Sequence, residues 1–326
     1  MDQSHTSQEP LKGSDTTFGT VKLSNSPITA PSSYIRSLSS KSSCSKIIDA
    51  FNVWLHVPID IVDVLKQVCE DLHNASLILD DIQDESPLRR GNTATHLVFG
   101  TAQAINGANY MIIQATKTIN SLKNPAMMMS WLDDLENQFV GQSWDVKWRD
   151  EMHCPSEEEY FAMIDLKTGI VIKKILRLMQ AAKNDDGAHL DRLAQLLGRW
   201  YQIRDDYMNL QGAEYTRGKG FCEDLDEGKI SLMLVKCCHS SPVNRDIIMG
   251  IFRNRLGSRQ TPLPVECKMQ ILNMMEKSGA LQQTWELIMA MKKEIEEEIG
   301  CVEVHFGEEN AIFRLMVTAL GDVPAP

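Results

Sequence analysis

The segment "IDIVDVLKQVCEDLHNASLILDDIQDESPLRRG", residues 59–91, decides the fold. Its apolar or small residues fall at 61, 64, 65, 68, 72, 76, 79 and 82, close to the alternating three-and-four spacing of one helix face. That spacing predicts a long helix rather than a strand. The helix ends in three aspartates within five positions, Asp80, Asp81 and Asp84, followed by Glu85 and then Arg89 and Arg90. Asp80 and Asp84 lie one turn apart on one face, where like charges repel unless a cation compensates them. A solvated acidic turn and a site for metal ions and phosphate are the two readings open at this point.

The pattern recurs. Asp205-Asp206-x-x-Asn209 repeats the spacing 125 positions later, again near the C-terminal end of an apolar helical stretch, "HLDRLAQLLGRWYQIRDDYMNLQ" (189–211). Two such faces turned toward each other offer hard oxygen ligands, the type that suits Mg²⁺ with substrate phosphates completing its shell. Cations accompany both motifs: Arg89 and Arg90 after the first, Lys219 and Lys229 around "GFCEDLDEG", and Lys167-Thr168 inside an apolar helix. Arginine forks and lysine ammonium groups are the usual phosphate ligands. Together, the matched motifs and cations favour the metal–phosphate reading.

The remaining chain has helical periodicity. "SEEEYFAMIDLKTGIVIKKILRLMQAA" (156–182) begins with a serine and an acidic first turn, a helix start. "GALQQTWELIMAMKKEIEEEIG" (279–300) is a further helix bounded by glycines. Alternating β-branched runs with hairpin turns do not occur, so the expected fold is all-α. Residues 1–29 are rich in Ser, Thr, Lys and Gly, and are expected to be a disordered tail, with one domain over 30–326.

Composition narrows the function classes. The 326 residues are 43% hydrophobic and 24% charged, an ordinary globular balance with material for a large core. A formal net charge of −11 disfavours nucleic acid or an anionic membrane as partner. The longest uncharged run, between Arg90 and Lys117, is too rich in Asn, Thr, Gly and Gln to span a bilayer. The eight cysteines (44, 69, 154, 222, 237, 238, 267 and 301) lack metal-type C-x-x-C spacing, and the N-terminus lacks a secretory pattern. Reduced thiols in a cytoplasmic enzyme are expected, with Cys237–Cys238–His239 a chance core pair rather than a metal site.

"HNASLILDDIQDESPLRRG", "INGANYM", "GQSWDVKWRD", "CPSEEEYFAMIDLKTG", "YQIRDDYMNLQ" and "KGFCEDLDEGKIS", in this order, resemble the all-trans polyprenyl diphosphate synthases, most closely the eukaryotic, fungal-like geranylgeranyl diphosphate synthases. The resemblance implies a single-domain isoprenoid synthase fold with long helices around a central cavity, usually a homodimer or higher homo-oligomer. It implies three Mg²⁺ ions held by Asp80, Asp84 and Asp205, with Asp81, Asp206 and Asn209 in support. Arg89, Lys167, Thr168, Gln202, Lys219 and Lys229 would hold the allylic diphosphate. Lys41, His73 and Arg90 would hold isopentenyl diphosphate. The family's arginine in that early loop is Cys44 here, and its glycine is Ser42, so one fixed cation is missing. Ala75 and Ser76, followed by Ile112, Ile113 and Phe139, would line the chain-length pocket. The implied activity is condensation of isopentenyl diphosphate with an allylic diphosphate to geranylgeranyl diphosphate, for terpenoid biosynthesis. Two alternatives stand beside it. One is a terpene cyclase that ionises without condensing, which the change at Cys44 favours. The other is a non-catalytic partner subunit, which the intact acidic motifs disfavour.

Overall fold

The central element of the computed structural model is α3 (Ile59–Gln83), the helix of the opening segment. It packs most extensively on α5 (Thr101–Ser121), and also on α2 (Ser43–Leu55), α1 (Ser26–Ser37) and α8 (Ile170–Lys183). Because neighbours surround it, burial is broader than one stripe. Val62, Leu65, Val68, Leu72, Ala75 and Ile78 are fully buried, while Ile61, Val64, Leu79 and Ile82 are only partly covered. The structure describes residues 23–39, 43–183, 189–211, 222–255 and 262–326. Lys41, Ser42 and Lys219 lie outside these residues. Of the expected tail, residues 1–22 also lie outside them, and α1 begins at Ser26, inside the span expected to be a tail.

The fold is all-α, as the periodicity predicts. Two dipeptide strands, β1 (Leu88–Arg89) and β2 (Asn92–Thr93), form a small antiparallel hairpin behind the first acidic motif. Its turn residues Arg90 and Gly91 both have positive φ, 55° and 76°, the combination of a type I′ hairpin. The short α4 (Thr95–Phe99) and then α5 follow. α6 (Pro125–Glu151) runs past the metal-motif end of α3.

The stretch expected to be one helix over 156–182 is α7 (Glu157–Ile164), a π-helical turn at Asp165–Gly169, and α8. Ser156 and Glu159 close a full capping box at its start. α9 (Asp191–Gln211) carries the second motif. It packs on the long α14 (Ala280–Phe306), which runs through Gly300 and stops at Gly307, where φ is 70°. Between these lie α10 (Glu223–Glu227), α11 (Leu232–Ser240), α12 (Pro242–Arg255) and α13 (Val265–Lys277), and α15 (Ala311–Leu320) closes the bundle.

Candidate functional site

The two acidic motifs meet cations from four other segments. Asp81 has no exposed surface and accepts Nε of Arg89 at 2.7 Å, and a second bond from the same guanidinium. Arg89 Nη2 also lies 3.8 Å from Asp80. The hairpin explains this reach: its tight turn folds Arg89 back over the end of α3. Lys167 Nζ stands 3.7 Å from Asp80 and pairs with Asp145 of α6. Gln142, also on α6, donates to Asp80 at 3.0 Å and to Gln83 at 2.7 Å. Arg149, two turns further on, pairs with Asp84 and donates to the Gln83 carbonyl at 2.9 Å.

The second motif is built differently. Asp206 is buried and fully engaged: it accepts from Tyr160 Oη at 2.9 Å, Gln202 Nε2 at 2.7 Å and Lys229 Nζ at 2.7 Å. Thr168 donates its hydroxyl to Gln202, which links the π turn to this network. Asn209 is buried, and its carbonyl oxygen accepts the backbone N–H of Asp224 at 3.2 Å. It therefore fastens α10 to α9. Asp205 is half-buried.

The π turn places Lys167 and Thr168, and glycines allow it. A Cβ on Gly141 would stand 2.5 Å from Lys167 N, and one on Gly198 would stand 2.5 Å from Gly169 Cα. α6 and α9 thus approach the turn from two sides at distances only glycine permits. Short π-helical turns inside helices are frequent at functional sites.

Electrostatics separate the groups. Burial opposes ionisation of Asp80, but Lys167, Arg89 and Lys229 outweigh it and bring its carboxyl down to about 2. Asp84 moves the other way: burial, Asp80 and Glu227 hold it well above the usual carboxylate range. Burial also opposes charge on Lys167, but Asp145, Asp80 and Asp84 keep it an ammonium. Lys229 is kept charged against burial by Asp206, Asp224 and Glu227. For Asp84, Arg149 and Lys167 do not outweigh burial and the neighbouring negative charges as the cations around Asp80 do, which is the condition a divalent cation relieves. The donors are hard carboxylate oxygens, and these residues fit Mg²⁺. Among the described residues no three Asp, Glu, His or Cys side chains are grouped to hold a metal by themselves, so water and diphosphate oxygens would supply the rest of the shell.

The residues expected at a second diphosphate are weaker. His73 is half-buried, and burial lowers its imidazole, with Arg90 and Arg89 adding to the effect. Arg90 reaches the Leu38 carbonyl at 3.4 Å. Cys44 is 6% exposed in α2, its thiol pushed up to about 12 by burial and by Glu70. It is a neutral core residue and supplies no cation.

Of the expected chain-length residues, Ala75 is fully buried, Ile112 is nearly so, and Ser76 is half-buried with its hydroxyl on the His73 carbonyl at 2.8 Å. Ile113 and Phe139 do not belong with them: both are exposed on the outer faces of α5 and α6. The physical reason is helical rotation. The inward face of α5 carries Met111 and Ile112, and a further rotation of about 100° puts Ile113 on the outside. Phe139 lies with Val140 and Trp144 on the outside of α6.

Sequence reading missed Gln142, Asp145, Arg149 and Tyr160. The signal for the first three was present in "GQSWDVKWRD", where polar residues recur at 142, 145 and 149 at helical spacing.

An all-α bundle bringing paired acidic motifs and fixed cations together defines an isoprenoid synthase fold. A model of the polyprenyl synthetase family matches residues 25–262, and the chain belongs to that family. Among its relatives is sesterfisherol synthase of Neosartorya fischeri, 44% identical over 303 residues, covering 92% of this chain but 40% of that protein. Quiannulatene synthase of Emericella variicolor is 44% identical over 296 residues, 90% of this chain and 39% of that protein. Ophiobolin F synthase of the same species is 42% identical over 306 residues, 91% of this chain and 42% of that protein. The chain thus spans about two fifths of the length of these relatives. They are named for terpene synthesis, which overturns the expectation of a geranylgeranyl diphosphate synthase and of that enzyme class. No helix of the described residues is long and apolar enough to cross a membrane.

Proposed function

We propose that the chain is a terpene synthase unit that ionises an allylic prenyl diphosphate. The observation that carries the reading is the pairing of an intact ionising site with a neutral, buried Cys44 where a second diphosphate would need a cation. The names of the relatives support it.

Arg89, Lys167 and Lys229 bind the allylic diphosphate and keep its departing oxygens charged, a preorganised arrangement whose donors need no reorientation during the reaction. Gln142 orients Asp80, and Tyr160 with Gln202 orients Asp206. Asp80, Asp84 and Asp205 would hold Mg²⁺, which when bound would supply Lewis-acid stabilisation of the leaving pyrophosphate. Lys219 belongs to the same cationic set by the resemblance. The prenyl tail lies along α3 past Ala75 and Ser76 toward Ile112, where apolar packing excludes water from the cation. The cytosol is the proposed place of action, supported by eight free thiols. A homo-oligomer is supported by the exposed apolar side chains of Leu132, Phe139, Val140 and Trp144 on α6.

Incubation of the pure protein with Mg²⁺ and an allylic diphosphate, with and without isopentenyl diphosphate, tests the reading. Pyrophosphate and a terpene hydrocarbon or alcohol should form without isopentenyl diphosphate. Turnover only in its presence, with a longer prenyl diphosphate as the sole product, would refute it.

A further inference from the structure

Three cations at the acidic motifs are anchored by aspartates outside the expected metal ligands. Arg89 is hydrogen-bonded to Asp81, Lys167 to Asp145, and Lys229 to Asp206 and Asp224. Arg149 differs. Its Nη1 pairs with Asp84, itself an expected metal ligand. Its Nη2 donates to the Gln83 carbonyl at 2.9 Å, at the C-terminal end of α3, where carbonyls lack intrahelical partners and favour a cation. Its Nε is buried and has no hydrogen-bond acceptor among the described residues; Asp150 Oδ1 lies 3.6 Å away, beyond hydrogen-bond reach. The residue is 6% exposed, and its aliphatic stem lies beside Gly228 at the end of α10, where a Cβ would stand 3.6 Å from Arg149 Cγ.

We propose that Arg149 is an exchangeable cation of the first motif: it holds Asp84 before Mg²⁺ binds, and passes to the diphosphate when Asp84 becomes a metal ligand. The inference rests on the ionising reading and adds a diphosphate-binding residue to it. Asp80 and Asp84 stand one turn apart on α3, so without a divalent ion their charges need a cation from the protein. Arg149 supplies it at Asp84. A carboxylate that ligates Mg²⁺ is a poorer partner for a guanidinium, and the two cations repel each other. Arg149 Nη1 then loses its acceptor, and Nε already lacks one. A buried guanidinium with unpaired donors is costly. The anion that binds with the metal is the diphosphate, whose oxygens accept readily from arginine. The Gln83 carbonyl keeps its bond to Nη2 and serves as the pivot. Arg89, Lys167 and Lys229 keep their own anchors through the same change. The consequence is coupling. Diphosphate draws Arg149 off Asp84 and so improves the site for metal, and metal does the same for diphosphate, as linkage requires.

The experiment compares the full chain with Arg149→Gln and Arg149→Lys in two binding measurements. Mn²⁺ alone, read by the EPR signal of the free ion, reports the metal site. Inorganic pyrophosphate in saturating Mg²⁺, read by calorimetry, reports the diphosphate site. Arg149→Gln should bind Mn²⁺ alone about tenfold more tightly and pyrophosphate about tenfold more weakly, shifts of opposite sign. Arg149→Lys keeps a charge near Asp84 but loses the planar donor set, so its Mn²⁺ affinity should stay near that of the parent while its pyrophosphate affinity falls. Because Arg149→Gln strands Asp84, Mn²⁺ should raise its urea unfolding midpoint by more than it raises the parent's, a readout that holds even if the variant folds poorly. Unchanged or weaker Mn²⁺ binding in Arg149→Gln would make Arg149 a fixed support of Asp84 and overturn the proposal, as would unchanged pyrophosphate binding. Either result leaves the ionising reading standing. Mn²⁺ binding unaltered by Asp80→Ala would instead remove metal from the motifs and refute that reading as well.

Discussion

The two acidic motifs share a spacing and differ in wiring. In each, the second aspartate is buried and committed to the protein: Asp81 to Arg89, Asp206 to Lys229, Gln202 and Tyr160. In each, the first aspartate, Asp80 or Asp205, is the more accessible. The third position separates them. Asp84 pairs with Arg149 and shares a negative cluster with Asp80 and Glu227, whereas Asn209 accepts a backbone N–H and holds α10 in place. The same spacing thus yields a charged face at the end of α3 and, on α9, one carboxylate above a structural anchor. The buried aspartates fix the cations that, in the proposed reading, would face the diphosphate. Removing a buried charge's partner is costly, which makes these pairs positioning devices.

The largest expected effect separates accessible from buried aspartates. Asp80→Ala and Asp205→Ala should each lower turnover by about two or more orders of magnitude, since a preorganised charge-stabilising group is worth about 3–4 kcal/mol. Their unfolding midpoints in urea should stay near that of the parent protein. Retained turnover in Asp205→Ala would break the symmetry between the motifs.

Next in size are the glycines that clamp the π turn joining the two networks. Gly198→Ala puts a Cβ on the Gly169 backbone, which has no flexible end to move. A cost of about 1–3 kcal/mol or more is expected from such overpacking. Turnover should fall too, because Lys167 and Thr168 move with the turn. Gly250→Ala, inside α12 where nothing lies within 4 Å, is the control: turnover should stay unchanged and stability should rise by about 0.5–1 kcal/mol.

Tyr160→Phe removes one donor from Asp206 and should cost about 1.5–3 kcal/mol in urea unfolding, the range for a bond to a charged group. No change in stability would mean that Lys229 and Gln202 suffice to hold that carboxylate.

The smallest effect belongs to Asn209→Ala. It leaves the Asp224 N–H without its acceptor and should cost about 1 kcal/mol, with turnover within about tenfold. A loss as deep as that of Asp80→Ala would make Asn209 a ligand and erase the contrast between the motifs.

Much of this arrangement was legible in the sequence, for definite reasons. Charge at helical spacing after an apolar run announced Asp80 and Asp84, and the echo at Asp205 announced the second motif. What escaped was whatever depends on a partner far away in the chain. Gln142, Asp145 and Arg149 look like ordinary surface positions of a helix until α6 is laid beside α3. The π turn was invisible because Asp165–Gly169 satisfies helical periodicity, and its cause sits in Gly141 and Gly198. Ile113 and Phe139 were misplaced because a family position transfers a residue but not the rotation of its helix. The neutral state of Cys44 needed burial, which spacing alone does not give.

The central claim is ionisation of an allylic diphosphate at the paired motifs, whatever the later fate of the cation. Positional isotope exchange measures this most directly. An allylic diphosphate labelled with ¹⁸O in the bridging position is incubated with the protein and Mg²⁺, without isopentenyl diphosphate. Ionisation frees the pyrophosphate to rotate, so recovered substrate should carry label in nonbridging positions, or labelled pyrophosphate should be released. Both signals should vanish in Asp80→Ala. Unscrambled substrate and no pyrophosphate from the folded parent protein would contradict the account.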